Sequence, residues 1–311
     1  MRLSDEDGRL TPTESMLPGV LESVRRSLGT DVCEYAGVLD VSEDEYNRIL
    51  QGRGKLSAHS ALKLSARANV SFEKLLQGDI DLKVLTQIGQ GNLQAMPDRY
   101  TKMAKSRKRT SINILEFLER FHGRAARDRV LRNFQVSEGV FESPDEWINV
   151  LFLSDMCEYL GRSGYSPEQL YCMGSYSVVT NFDSELGRQY RRLAANAQDV
   201  YRRFEEALIR FYDENFWYRL VKSTPHFCLI EAEPNSDVED ELKLRKIGNP
   251  AYCVTKAGAF ASFTGYLGLP FAKVKEISCI HRGDRACRYL INYEHAAAVD
   301  TVADSQGNIA F

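Results

Sequence analysis

The sequence predicts an α+β protein of two domains: all-α toward the amino end, then a mixed domain of helices and strands. Three observations carry this. Residues 29–80 hold four short segments with helical apolar spacing, separated by polar turns. From Ile112 onward apolar residues recur at i, i+3 and i+4 through longer segments. The carboxy-terminal third holds two pairs of strand-like runs, one joined around Pro225 and one around Gly283-Asp284.

A chain of 311 residues, 43% hydrophobic, supports two domains with sizeable cores. The net charge of −3 gives no global attraction to nucleic acid or to a membrane surface. No apolar run approaches the about 20 residues that span a bilayer. The amino-terminal stretch is acidic and lacks the apolar core of a signal peptide. Seven cysteines, an odd number, then fit reduced thiols in a cytoplasmic protein better than disulfides. Cys33, Cys157, Cys172 and Cys228 read as packing residues.

Residues 1–28 read as a flexible leader with a short helix over 20–28. Helices follow at 33–39, 43–50, 58–68 and 72–76. Ser42 is an N-cap, and Glu45 three residues on makes a capping box. Gly52-Arg53-Gly54 ends that helix, Ser57 or Ser60 starts the next, and Ser71 caps the last. Val38, Leu39, Val41, Tyr46, Ile49, Leu50, Leu62, Leu64, Ala66, Val70, Phe72, Leu75 and Leu76 would form the core.

Ala36, Asp40-Val41-Ser42, Gly52-Arg53, Leu62-Lys-Leu64 and Val70-Ser71-Phe-Glu-Lys-Leu75-Leu76 together resemble the phage-repressor (XRE) type of helix-turn-helix domain. The resemblance implies that the helix at 43–50 enters the major groove. Ser42, Glu43, Asp44, Asn47, Arg48, Arg53 and Lys55 would then face DNA. Two departures stand against this. The family's turn glycine is Asp40, and carboxylates at 43, 44 and 45 would meet phosphates, although an acid can accept from the cytosine amine. Residues 29–80 hold six Lys/Arg against eight Asp/Glu, a net of −2, where DNA readers are usually basic. A DNA reader and a protein-docking unit both remain open.

Residues 81–109 read as a basic linker, with seven Lys/Arg against two Asp, a net of +5. The run 102–109 could grip phosphates without sequence preference, or be a solvated connector, or dock on the following domain.

The second domain is expected over 110–295, with a weakly patterned tail at 296–311. Helices are expected at 112–118, 128–134, 147–160 (Ser143 as N-cap, Pro144 at its first position), 167–173 and, as one long element, 186–212. Strands are expected at 215–221 and 226–231, and a charged surface loop at 234–246. Gly248-Asn249-Pro250 then breaks the chain before a helix over 251–267. A strand over 271–279, with Phe271, Val274 and Ile277 as its apolar residues, turns into a second strand over 286–293.

On these last elements lie Cys253, Glu276, Cys279 and Cys287. Three thiolates and a carboxylate complete a tetrahedral zinc shell with no open position, which is normally structural. Such a site would tie one helix start to both strands of a hairpin. Cysteines are also common as small buried apolar residues, and spacing alone leaves both readings open. His281 is a weaker substitute ligand on the turn.

The segments Gly248-Asn-Pro-Ala-Tyr-Cys253, Gly258-Ala-Phe-Ala-Ser-Phe-Thr-Gly-Tyr-Leu-Gly-Leu-Pro270, Glu276-Ile-Ser-Cys279 and Gly283-Asp-Arg-Ala-Cys287-Arg resemble the 4-vinyl reductase domain. The likeness is to the form in bacterial phenol- and toluene-responsive regulators. It implies zinc on Cys253, Glu276, Cys279 and Cys287, a helical layer against a small antiparallel sheet, and a dimer. It also implies a pocket for a small hydrophobic or aromatic ligand between sheet and helices. Candidates for that pocket are Trp217, Tyr218, His226, Phe227, Tyr252, Phe260 and Phe263; aromatics in a mixed sheet are equally often plain core.

No nucleophile elbow, phosphate loop or His-Glu-x-x-His motif is present. The expectation is therefore a cytoplasmic, dimeric, non-enzymatic one-component regulator. A zinc-stapled ligand sensor would control a DNA-binding helix-turn-helix. The rival is an adaptor that uses its helix-turn-helix for protein contacts and its second domain as a small-molecule or lipid carrier.

Overall fold

A computed structural model describes residues 17–297. Of the expected flexible leader, residues 1–16 lie outside them, as does the tail beyond 297; residues 17–28 are no flexible leader but a helical segment whose Val20, Leu21, Val24 and Leu28 enter the core. The chain forms two compact units. Unit 1 takes the chain through Thr101 together with His122–Ser143; unit 2 takes Lys102–Phe121 together with the chain from Pro144 onward.

Unit 1 is helical. α1 (Leu17–Ser27), α2 (Val32–Leu39), α3 (Glu43–Leu50), α4 (Ala58–Arg67), α5 (Phe72–Gln77) and α6 (Leu82–Gly89) follow in order. Side chains of Asp31, Ser42, Ser57, Ser71 and Asp81 each accept a backbone N–H at the start of α2 to α6. These bonds satisfy donors that a helix start leaves without partners. Leu21, Val24, Tyr35, Leu39, Tyr46, Ile49, Leu64, Val70, Leu75 and Leu85 form the core. Three expected core residues, Leu62, Ala66 and Leu76, are exposed. Residues two apart on a helix cannot share a face, so Leu64 takes the inward position and Leu62 and Ala66 point out. Cys33 and Cys172, expected as packing residues, are exposed; Cys157 and Cys228 are buried.

α7 (Arg109–His122) belongs to unit 2 up to Phe121, and α8 (Arg124–Phe134) returns to unit 1. The return is fixed by the backbone. Ser71 N–H donates to Arg132 O at 3.0 Å, and Ser137 N–H to Ala95 O at 2.8 Å. Asp81 N–H donates to the Gln135 side chain at 2.7 Å. Residues 122–143, expected in the second domain, are thus held to the helical unit.

The run 81–109 is not a solvated connector. Its first part forms α6 and joins the unit 1 core through Val84 and Leu85. Its last part, β1 (Ser106–Arg107), pairs with β2 (Trp147–Ile148) in unit 2. Lys108 is buried and meets Glu146 at 2.6 Å. Arg109 is 1% exposed and reaches Asp145 and Asn181. Arg107 stacks 3.3 Å above the Trp147 ring.

Unit 2 continues with α9 (Val150–Arg162), α10 (Pro167–Ser175), α11 (Ser177–Asn181), α12 (Glu185–Leu193), α13 (Ala197–Arg203), β3 (Phe216–Ser223), β4 (Phe227–Pro234), α14 (Ser236–Glu241), α15 (Pro250–Ser262), β5 (Lys273–Ser278) and β6 (Cys287–Asn292). The last four strands form an antiparallel sheet in the order β3-β4-β6-β5. α13 and α15 pack against it. The helix expected to start at Pro144 starts at Val150 instead, because Trp147 and Ile148 pair with β1 and Asn149 caps Leu151 N–H. The capping box is found at Ser166 and Gln169; at Ser42 only the bond to Glu45 N–H forms. The long helix over 186–212 is broken. Ala194 is extended, Asn196 caps a new start at Asp199 N–H, and a π turn covers Phe204–Leu208.

Candidate metal centre

Cys253, Glu276, Cys279 and Cys287 converge, with one ligand atom from each all within 4.8 Å of one another. Local sequence explains each placement. Gly248 takes φ +86, a left-handed backbone that favours glycine. Asn249 caps Tyr252 N–H at 2.9 Å and Pro250 opens α15, which brings Cys253 into its first turn. The Asn249 amide also donates to Ser154 O at 2.8 Å, tying α15 to α9. Gly283, at φ +100, makes the turn between the hairpin strands. Cys279 N–H donates to Asp284 Oδ2 at 2.7 Å across that turn. Cys287 opens β6 opposite Ala232.

The strand pattern corrects the sequence reading. In β5 the residues facing in are Val274, Glu276 and Ser278, while Ile277 and Phe271 are exposed. A bulge between Glu276 and Ser278 accommodates Ile277. The inward phase is what delivers the Glu276 carboxylate to the three sulfurs.

The donor set fits a dication. Cys253 Sγ stands 3.8 Å from Cys287 Sγ and 3.8 Å from Cys279 Sγ. Tetrahedral Zn–S bonds of 2.3 Å imply an S···S edge of about 3.8 Å, whereas a disulfide needs about 2.05 Å. Glu276 Oε1 is buried with no hydrogen-bond partner, while Oε2 accepts from Arg282 at 3.1 Å. The contact between the Cys253 and Cys287 sulfurs holds the Cys287 thiol below its ordinary range, and the same contact pushes Cys253 up. Burial pushes Cys279 up. His281 is outside the cluster. Its Nε2 is buried without a partner, and burial lowers its pKa.

Beside the cluster is a cavity of about 60 Å³. Four expected pocket residues line it: Tyr218, Tyr252, Phe260 and Phe263. Trp217, His226 and Phe227 do not. Trp217 alternates to the outer sheet face, 65% exposed. His226 is exposed in the β3–β4 turn, and Phe227 opens β4 with Lys222 5.2 Å above its ring. The sequence reading missed Lys256 and Asp213, both buried at this cavity. One signal was available: between Lys246 and Lys273, Lys256 is the only charged residue.

In unit 1, Asp40 takes the left-handed turn at φ 59 and pairs with Lys63 at 2.6 Å, filling the position of the expected glycine. Ser42 caps α3 and its first turn carries Glu43, Asp44 and Glu45, a favourable charge at a helix start. Ser42, Glu43, Asp44, Asn47, Arg48, Arg53 and Lys55 are exposed.

No protein-family model matches the chain, and no curated protein is similar to it in sequence. Among solved structures, an iron(II), unliganded mutant of the H-NOX protein from K. algicida is similar at a TM-score of 0.44 and 12% identity, over 60% of this chain and 95% of that one. A likeness of that size carries no inference about function.

Proposed function

We propose that unit 2 is a zinc-stapled receptor for a small hydrophobic or aromatic molecule. Unit 1 is then the helix-turn-helix output of a one-component transcriptional regulator, acting as a homodimer. The observation that carries the receptor reading is the convergence of Cys253, Glu276, Cys279 and Cys287 from a helix and two strands. Bound zinc would supply a fixed cross-link among these elements. Four protein ligands leave no position for substrate or water, which favours a structural over a catalytic role.

The cavity supports a sensing role through its size. At about 60 Å³ it is smaller than the roughly 150 Å³ that takes benzene. A ring-sized ligand would have to move the walls, and that movement is a signal that another unit can read.

The adaptor reading is favoured by a different observation. The exposed start of α3 is acidic, and Lys108 and Arg109 are already paired with Glu146 and Asp145 of this chain and so are not offered to phosphate. Gel shifts of the metal-loaded full chain at several salt concentrations separate the two. Salt-sensitive, sequence-selective binding supports the regulator, and no binding at low salt supports the adaptor. Native mass with metal content tests the receptor reading and the dimer together. Among the described residues, no helix is long and apolar enough to cross a membrane.

A further inference from the structure

Lys256 lies on α15 one turn beyond Cys253 and is only 9% exposed. Its Nζ stands 3.3 Å from the Phe216 ring centroid, 4.7 Å from Tyr252 and 5.2 Å from Tyr218. The rings stabilise the charge but leave specific N–H donors unmet. An ammonium carries three donors, and among the described residues Nζ makes no hydrogen bond and no ion pair. Buried donors of a charged group left without acceptors are costly. Lys256 lines the cavity, so an acceptor placed there can meet them.

The carboxylate and amide oxygens around the same cavity are already engaged. Asp213 Oδ1 accepts from Asn215 N–H at 2.9 Å, from the Asn215 amide and from Ser106 Oγ at 3.5 Å. Asp213 Oδ2 accepts from Tyr218 OH at 3.0 Å and Tyr252 OH at 3.4 Å. That fills the roughly four lone-pair sites of a carboxylate. Asn113 Oδ1 accepts from Thr180 and Asn181. Thr110 Oγ1 donates to Arg107 O, and Thr255 Oγ1 donates to Ala251 O. A ligand hydroxyl proton would therefore find no open carboxylate or amide oxygen here, only the lone pairs of hydroxyls that already donate, which are weaker acceptors. A carboxylate ligand would find Lys256, but also Asp213 and, beyond it, the acidic donor set of the metal cluster.

We infer that this cavity takes a small, otherwise apolar carbonyl compound, a ketone or aldehyde, whose oxygen accepts from Lys256 Nζ. The inference rests on the receptor reading above and names the ligand class of that same site. The carbonyl is neutral, brings an acceptor and brings no donor. It matches the unmet donors of Lys256.

The test is titration of the metal-loaded full chain with cyclopentanone, cyclopentanol, cyclopentanecarboxylate and toluene, followed by calorimetry or NMR shifts. Cyclopentanone is expected to bind at least about tenfold more tightly than the alcohol or the carboxylate, a gap of about 1.4 kcal/mol. Lys256→Met is expected to erase that preference while metal content and toluene binding stay as in the parent. Equal binding of ketone and alcohol, or tightest binding of the carboxylate, overturns the inference and leaves the receptor reading intact so long as toluene binds. A preference that survives Lys256→Met also overturns it. If none of the four compounds binds, the receptor reading fails as well. If Lys256→Met loses its metal, the probe series on the unmutated chain still decides the matter.

Discussion

Gly174 of α10 and Gly258 of α15 meet where their helices cross. A methyl on Gly174 would stand 1.9 Å from Thr255 O, and one on Gly258 would stand 1.9 Å from Tyr171 O. Each helix backbone fills the space that a side chain would need, so the two helices pack backbone against backbone. Gly258→Ala is therefore expected to destabilise unit 2 by about 3 kcal/mol or more, at the upper end of overpacking costs. Urea unfolding of the metal-loaded chain measures it. An unchanged midpoint would mean that the helices separate freely.

Cys279→Ser and Cys287→Ser should each abolish stoichiometric zinc in native mass spectra and lower the melting temperature of unit 2. Metal-site binding energy is largely folding energy. Glu276→Gln removes the charge and keeps three thiolates, so zinc should remain but yield to a weaker chelator. Retention of full affinity in Glu276→Gln would remove the carboxylate from the ligand set.

Glu22 of α1 accepts from Arg25 Nε at 2.9 Å and Nη2 at 2.7 Å, from Arg26 Nε at 2.8 Å and from Tyr46 OH of α3 at 3.3 Å. The Arg25 bonds, with Arg26 beside them, hold its carboxyl down to about 2. A carboxyl whose folded pKa is depressed adds stability that is full above its unfolded value near 4.5 and lost as pH falls toward 2. After allowance for solvent screening, the contribution is about 1 kcal/mol. Unfolding of unit 1 followed from pH 5 to pH 2 should show this loss, and Glu22→Gln should flatten it. A parallel decline in the variant would assign the acid sensitivity elsewhere.

Arg107 Nη1 donates to Asp145 O at 2.5 Å while its guanidinium covers Trp147. Arg107→Ala should cost unit 2 about 1 kcal/mol and leave the salt dependence of any DNA binding unchanged, since this cation is not offered to phosphate. A reduced salt slope with unchanged stability would return the basic run to a nucleic-acid role.

Much of the Cys/Glu cluster could be read in the chain because its spacing, turn residues and donor types agree. Asn249-Pro250 and Gly283-Asp284 say where α15 and the hairpin begin and turn. The inward phase of Glu276 was less legible: Ile277 is the apolar residue, yet alternation in step with Val274 gives the inner face to the acid. The aromatics misled in a similar way. Trp217 and Tyr218 are neighbours in sequence, but strand alternation allows only one to face the helices. The fate of 102–109 depended on partners far along the chain, Asp145, Glu146 and Asn181, which no local pattern in the basic run reveals. The break at Asn196 was hidden by apolar periodicity that continues across it.

One helix carries Cys253, Lys256 and Phe260 at intervals of three and four residues. The anchoring thiol, the caged ammonium and an aromatic wall are therefore rungs of a single rod. With a metal on Cys253 and with Gly258 wedged against α10, that rod would have little room to roll for a guest. The wall expected to yield on entry is then the one carrying Phe204, Ile209 and Tyr212, where the regular α-helix gives way to wider and tighter coils.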